Sequence, residues 1–505
     1  MQSIHTLGFR RSTFFIFAGV LFIYLVLPTK NYYWDGIGLS NAIEHSETQP
    51  LLHQNHLLYG PLGFAAWRTA QILLPGVRAL GLLQVINSFF GAAAVAVFYR
   101  VLLRTFGSSY IAACLSLALA FSATWWKFST DVDSYIPSIF FVLLALLLVS
   151  PGKTTRTVIL GCVHACAMLL HQLAVFFAPV LILALWQKEP NQTPRQKTVA
   201  ILQYSITAGL ITIGFYTAAF AAQSETFHAM SLFRWLTSYS QEAGFSFSIW
   251  RNLATSIAGQ VKLVLGGRLP LVREVWNPFL ALTTATLVAL ATLLVIRLRR
   301  SRVHVQNGYP GIARMMLVWI SIYAAFLLFW LPYNTFYRLF YLPALLVLPA
   351  TFIPVARERR YHLALAVAVL FLWNLGFHIY PYAQAVANPT LEISDRLQKS
   401  WPAGTVVYWD VHAADNRTIQ YFNPQVKWKE LWERAWIGDI EQTMGAAHAS
   451  GKSLWFDLAA LDRFTSEDQQ FGTWLKTNCE LGPRREFTDG SHKIGFVQLI
   501  PRNAK

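Results

Sequence analysis

Charge is scarce in this 505-residue chain. Asp, Glu, Lys and Arg make up 13% of it, against roughly 25% in an ordinary soluble domain, which excludes a water-facing surface over most of its length. Acids are scarcer than bases, 25 against 41, and the first 387 residues hold only ten of them. Cysteine is nearly absent. Cys114, Cys162 and Cys166 lie in apolar runs and Cys479 stands alone, so no disulfide framework is expected. Cys162 and Cys166, four apart beside His164, read as small residues of a packed span rather than as a metal site. The C-terminal segment has no G-x-G-x-x-G or G-x-x-x-x-G-K pattern, so no nucleotide cofactor is expected.

What the chain has is apolar surface: 55% hydrophobic residues, 15% aromatics and a mean hydropathy of +0.40. That composition belongs to an integral membrane protein. The net charge of +16 sits entirely before Ala387, where 27 bases face 10 acids; the remainder holds 14 and 15. The positives form small clusters between apolar runs, not a basic stripe, so they read as topology signals and not as a nucleic-acid site.

Apolar runs of spanning length, about 17–25 residues, occur at 12–28, 79–103, 109–127, 134–150, 199–222, 277–298, 312–331, 337–355 and 361–380. The stretch 157–186 is interrupted at His171-Gln172 and followed within it by Pro179, and reads as two short spans, with one long tilted span as the alternative. The expected count is about eleven. With two spans there, Arg10-Arg11, Arg100 with Arg104, Lys153 with Arg156, Lys188 with Arg195 and Lys197, Arg297 through Arg302, and Arg357 through Arg360 all fall on one side. The positive-inside rule makes that side cytoplasmic. The N-terminus is then inside and the C-terminal segment outside. The first apolar run lacks a small-x-small cleavage site and reads as an uncleaved span. Loops 29–78 and 223–276 face outward; the second reads as amphipathic and interfacial, with Phe227, Phe233-Arg234-Trp235 and Trp250-Arg251.

The fold class is therefore a polytopic α-helical membrane protein, residues 1–387, with a small α/β outer domain, residues 388–505. In the latter, 405–409, 453–456 and 493–500 read as strands and 429–440 and 464–476 as helices, the first with Leu431, Trp432, Ala435 and Trp436 on one face.

Eight of the ten acids of the first segment fall on the outer face; Glu189 and Glu358 do not. None lies mid-span, where ion-coupled transporters place carboxylates. Surface chemistry on a lipid-borne substrate fits that placement better. Asp35, in Tyr32-Tyr33-Trp34-Asp35-Gly36, sits at headgroup level just past the first span; a cap on a short helix over 36–45 is the plainer reading. Asp131-Val132-Asp133 follows the third span. Two carboxylates so spaced could hold one divalent cation such as magnesium or manganese, or simply cap a turn. His53 and His56, three apart, could bind phosphate, orient a carboxylate or ligate metal, or belong to a polar interfacial helix. Arg338, with Tyr337 in an aromatic stretch running from Tyr333 to Tyr341, can grip a phosphate through paired N–H donors, or snorkel to headgroups. Lys127 has the same two readings. His171 could reach the same cavity or satisfy backbone where two short spans meet.

These residues together resemble the GT-C superfamily of membrane glycosyltransferases, which includes protein O-mannosyltransferases, lipid A aminoarabinose transferases and oligosaccharyltransferases. The matching features are Asp35 in the first outer loop, Asp131 and Asp133 in the second, split spans around His171-Gln172, the Arg338–Pro343 stretch before a late span, and an outer C-terminal domain. Asp35 is followed by Gly36, where the superfamily often has a second acid. The resemblance implies a polyprenyl-phosphate-sugar donor and an inverting transfer, on the outer face, to a glycan, lipid or protein acceptor. It implies Asp35 as general base, and Arg338, Lys127, His53 and His56, or a cation on Asp131 and Asp133, at the donor phosphate, with Tyr337 and His171 in the same cavity. The rival reading is a transporter or flippase of a lipid-linked precursor, which leaves the outer domain unexplained. A second rival, a scaffold whose C-terminal domain binds a partner, leaves the acids at one face without a role. The short loops favour a bacterial inner membrane.

Overall fold

A computed structural model describes residues 2–46, 51–151, 155–188, 192–224, 228–300, 308–352, 360–410, 414–431, 436–467, 469–489 and 492–502. Lys153, Glu189, Phe227, Arg302, Arg357, Glu358, Arg359, Trp432 and Ala435 lie outside them, as do Glu47 and Glu225, two of the ten acids of the first 387 residues. The chain divides into two units: Met1–Thr29 with Ala42–Ala383, and Lys30–Asn41 with Gln384–Lys505.

In the first unit the apolar runs fold as helices. Ala79–Phe106, Pro194–Gln223, Pro278–Arg299, Pro310–Phe329 and Tyr361–Tyr382 are long and apolar enough to cross a membrane, and Ser109–Phe121 with Ala123–Ser129 makes a sixth if the bent pair is one span. Shorter apolar helices are Arg11–Val26, Tyr135–Val149, Thr157–Leu170, Gln172–Gln187 and Leu342–Phe352. Burial ranks the long ones: 56% of the central window of Ala79–Phe106 is buried, but only 11% of that of Pro194–Gln223. The first is largely packed by protein, while the second offers most of its apolar surface outward, as a lipid-facing helix does. Glu44 anchors the start of Ala79–Phe106, accepting from Arg78 Nε at 2.9 Å and from Ala79 N at 2.7 Å. That gives one of the ten acids a structural task, since the first N–H groups of a helix have no partner within it.

The breaks matter most. The third span bends by 69° at Ser122 instead of running straight through 109–127. The carbonyl freed at Phe121 is taken by Asn374 Nδ2 at 2.7 Å, which also donates to Val264 O at 2.8 Å. Asn374 is followed by a π-helical turn, Leu375–Ile379, inside the last span. The expected interruption at His171 is present: Thr157–Leu170 ends there and a 3-10 turn, Gln172–Phe177, follows. Its loose carbonyls are met by Ser138 Oγ on Ala167 O, Leu58 N on Leu169 O and Tyr323 Oη on Leu173 O. Each broken helix is thus tolerated because neighbours restore its hydrogen bonds away from lipid.

The loop 223–276 contains two amphipathic helices, Ala229–Ala243 and Ile249–Val264. The second is inverted: Trp250, Leu253, Ile257 and Val261 face outward, while Asn252 and Gly259 are buried. A helix with its apolar stripe outside is built for a lipid environment.

In the second unit, five strands run in the order β2-β1-β3-β5-β4: β1 Val406–Trp409, β2 Lys427–Glu430, β3 Leu454–Asp457, β4 Cys479–Asp489 and β5 His492–Pro501. β2, β1 and β3 are parallel, and β5 and β4 close the sheet antiparallel. Alternation sends Val406, Tyr408, Leu454, Phe456, Val497 and Leu499 to one core. Val407, Trp409, Trp455 and Phe496 go to the other, against the helix Pro389–Ser400. Helices therefore cover both faces of the sheet. One expectation fails here. The helix placed over 429–440 is instead strand β2 through Glu430, and helix resumes at Trp436. Trp428 favours it, its ring packed at a tilt 4.4 Å from that of Trp409 on the neighbouring parallel strand. The segment expected as one helix over 464–476 is two, Leu458–Glu467 and Gln469–Asn478, and β4 was not anticipated.

Candidate functional site

Four short pieces of the first unit converge. The helix Ala123–Ser129, left short by the bend at Ser122, carries Lys127; the next four residues carry Asp131 and Asp133. All of them are buried. Lys127 Nζ pairs with Asp131 Oδ2 one helical turn on, and stands 4.5 Å from the Phe128 ring. Asp131 Oδ1 accepts from Val132 N at 2.9 Å, and Asp133 Oδ1 from Tyr135 N at 3.3 Å at the start of Tyr135–Val149. The acidic pair is thus not an exposed loop: one carboxylate neutralises a buried ammonium and the other caps a helix.

The loop is pinned by residues that the sequence reading passed over. Asn87 Nδ2 donates to Asp131 O at 2.8 Å and Asp133 O at 2.7 Å, and Tyr59 Oη donates to Asn87 Oδ1 at 3.0 Å. Gln84 Nε2 donates to Thr29 O and Thr130 O, and Ser88 Oγ to Ser129 O. Gln84, Asn87 and Ser88 lie on one face of an otherwise apolar helix, and that spacing was the available signal.

His53 and His56 meet across a 3-10 turn, Gln54–His56, with rings stacked 4.6 Å apart. Burial holds the His53 imidazole below its ordinary range, and burial with His53 alongside takes His56 down to about 3. Both are neutral near pH 7, able to hydrogen-bond but not to supply charge. His56 Nδ1 is buried without a hydrogen-bond partner. His171 lies 4.9 Å from Tyr135 and 5.3 Å from Phe340, ring to ring.

Tyr337 and Arg338 lie on a 3-10 turn, Phe336–Phe340, both buried. Tyr337 stacks on Trp330 at 5.2 Å and meets Tyr135 edge-on at 5.5 Å. Phe336 touches Phe128 at 5.4 Å, so the Arg338 turn and the Lys127 helix share one aromatic wall. Arg338 is 1% exposed. Its Nε donates to Asn334 O at 3.1 Å, Nη1 to Tyr341 Oη at 2.9 Å, and Nη2 to Pro332 O at 2.7 Å and Ser256 Oγ at 3.2 Å. Gly259 makes room for it, since a Cβ there would stand 2.7 Å from Nε. Leu331, just before Pro332, takes the left-handed φ of 54°, a strained conformation for a branched side chain, and Asn334 N closes the turn on Leu331 O at 2.9 Å. Among the described residues Arg338 forms no ion pair, whereas Lys127 has Asp131.

Asp35 belongs to the second unit. It lies in the first turn of the helix Trp34–His45, where a carboxylate suits the helix dipole. Burial pushes its carboxyl up to about 6, opposed by the charge of Arg417 and a hydrogen bond from Tyr33. Such a group is ionised at neutral pH yet basic enough to accept a proton.

The donor set does not fit a resident divalent cation. Asp131 is spent on Lys127 and on Val132 N, and among the described residues no group of three or more His, Cys, Asp or Glu converges. Removing one partner of the buried pair leaves an uncompensated charge. Asp131→Ala and Lys127→Ala are each expected to cost about 3–5 kcal/mol, and the double variant less than their sum. Thermal unfolding of the three purified proteins in one detergent checks this; additive losses would show that the pair does not act as a unit.

No family model matches the chain, and no curated protein matches it. Among solved structures, apo ArnT from Cupriavidus metallidurans superposes with a TM-score of 0.50 at 10% identity, over 98% of this chain and 98% of that one. The structure of the same protein bound to undecaprenyl phosphate superposes with a TM-score of 0.49 at 9% identity, over 97% and 98%. At such identity the likeness is one of fold, and it covers nearly the whole of both chains.

Proposed function

We propose that the chain is a membrane glycosyltransferase that moves a sugar from a polyprenyl-phosphate carrier to an acceptor on the outer face of the membrane. The observation that carries this reading is Arg338, a buried guanidinium that among the described residues is held by neutral oxygens, within a unit of apolar helices. A buried cation with no carboxylate partner is costly unless an anion completes it. An anion that arrives on a lipid is the one such a unit can receive. ArnT, whose fold this chain shares, is solved with undecaprenyl phosphate bound, and the reading takes the same class of carrier.

In this reading Arg338 stabilises the phosphate as the bond between sugar C1 and phosphate oxygen breaks, because negative charge grows there. Asp35 accepts the proton of the acceptor hydroxyl as its oxygen bonds to C1 from the opposite side, inverting the anomeric centre, and polyprenyl phosphate leaves. His53 and His56 offer neutral hydrogen bonds, His171 and Tyr337 belong to the aromatic wall, Asn334, Pro332, Tyr341 and Ser256 hold Arg338 in place, and the Lys127–Asp131 pair with Asp133 fixes the loop beside them. No step runs through a cation. In this reading the N-terminus is cytoplasmic and the C-terminal domain lies outside a bacterial inner membrane, with about eleven spans, as the positive-inside rule suggests.

The test is a transfer assay with the full chain in detergent, synthetic undecaprenyl-phosphate sugars as donors, and envelope lipids and glycans as acceptors, with products read by mass spectrometry. Sugar transfer unaffected by a chelator is expected. Donor movement across vesicles without transfer to any acceptor would replace the enzyme with a flippase.

A further inference from the structure

Within the second unit, one side chain of the C-terminal domain reaches the helix that carries Asp35. Arg417, on the helix Ala414–Phe422, places its guanidinium carbon 5.1 Å from the centroid of the Trp34 ring. Its Nη1 stands 2.9 Å from where a Cβ would lie on Gly38. Trp34 and Gly38 are four residues apart on their helix and Asp35 and Gly38 three apart, so the three share a face. The guanidinium therefore lies across the turn that bears Asp35, in the space left by the missing side chain of Gly38. The approach to this turn is itself fixed: Asn31 Nδ2 donates to Ala387 O at 3.1 Å and Asn388 Nδ2 to Lys30 O at 3.2 Å, while Tyr32 packs against Phe422 at 6.0 Å.

We propose that Arg417 is a positioning residue for Asp35, holding the carboxylate ionised and in one orientation, and that Gly38 is glycine in order to admit it. The proposal rests on the reading of Asp35 as general base. Its physical logic is a balance. Taking Asp35 partly out of water favours the neutral acid, which cannot accept a proton, and a fixed guanidinium restores the charged form. Among the described residues, the charged or titratable groups that act on Asp35 are Arg417 and Tyr33; both favour the carboxylate, and Arg417 contributes more. The C-terminal domain thereby acts on the chemistry through a single arginine.

The test has two readouts on the full chain in detergent. One is the acidic limb of the transfer rate against pH. The other is carbodiimide labelling of Asp35 across a pH series, read by peptide mass spectrometry, which reports the protonated acid without turnover. Arg417→Gln should move both midpoints up by about one pH unit, the lower end of what a close opposite charge supplies, so that the rate on the acidic limb falls about tenfold. Arg417→Lys should move them less. Gly38→Ala, which favours the helix, should shift both midpoints in the same direction by a smaller amount without lowering the unfolding temperature. A labelling midpoint unchanged in both Arg417→Gln and Gly38→Ala overturns the proposal, whatever happens to stability. If the chain transfers no sugar, labelling still decides whether Arg417 holds Asp35. If labelling shifts as expected but Asp35→Asn transfers normally, the general-base reading falls, and the role of Arg417 in catalysis falls with it.

Discussion

Asp35→Asn should lower sugar transfer by about 10²–10⁴-fold, the range a positioned general base contributes, with little effect on donor affinity or unfolding temperature. Asparagine has the same shape and keeps a carbonyl for the first turn of the helix Trp34–His45, so the helix loses only the charge–dipole term, about 0.3–1 kcal/mol. What it cannot do is accept a proton. The wild-type pH profile carries the same signature. A base must be deprotonated to act, and burial pushes the Asp35 carboxyl up to about 6. The rate should therefore be low below that pH, rise through it and level off above. A steady-state rate series with both proteins checks the two statements at once. Near-normal turnover by Asp35→Asn would remove this residue from the chemistry.

Arg338→Lys should weaken donor binding by about 10–100-fold, the worth of a charged hydrogen bond of about 1.5–3 kcal/mol. Lysine keeps the charge, so a purely electrostatic role would survive the change. It lacks the planar fork that now spans Asn334 O, Pro332 O, Tyr341 Oη and Ser256 Oγ. Those oxygens are buried, and some lose their donor, so the unfolding temperature should fall as well. The decisive reading is KM for the donor beside that temperature, in the lysine variant rather than in Arg338→Ala, which would also leave a cavity. A loss of stability with unchanged KM would make Arg338 a structural residue, and the proposed function would lose its main support.

The readable parts of this protein were those written in local pattern. Long apolar runs yield helices because a chain in lipid must satisfy its backbone within itself. His171-Gln172 announces its break because a polar pair is expensive inside an apolar run. The short continuous apolar runs within 405–409 and 453–456 mark buried strands. Lys429 and Glu430, expected in a helix, lie in strand β2 because the strand's partner, β1, is distant in sequence, and a short polar strand carries almost no signal of its own. The bend at Ser122 was invisible for a similar reason: it is made affordable by Asn374, some 250 residues away.

By itself, the sequence determined the environment and the inventory. Too few charges for water, clustered positives between apolar runs and a short supply of acids made this a membrane protein whose few polar groups are worth following, and drew attention to Asp35, Lys127, Asp131 and Arg338. Only the tertiary structure decided what those groups do to one another. It gave Lys127 to Asp131, left Arg338 among neutral oxygens, and laid Arg417 beside Asp35 in the space above Gly38. Composition and periodicity fix which medium a segment prefers, because transfer energies are local sums. Charge pairing depends on the distance between groups far apart in the chain, and folding alone sets that distance.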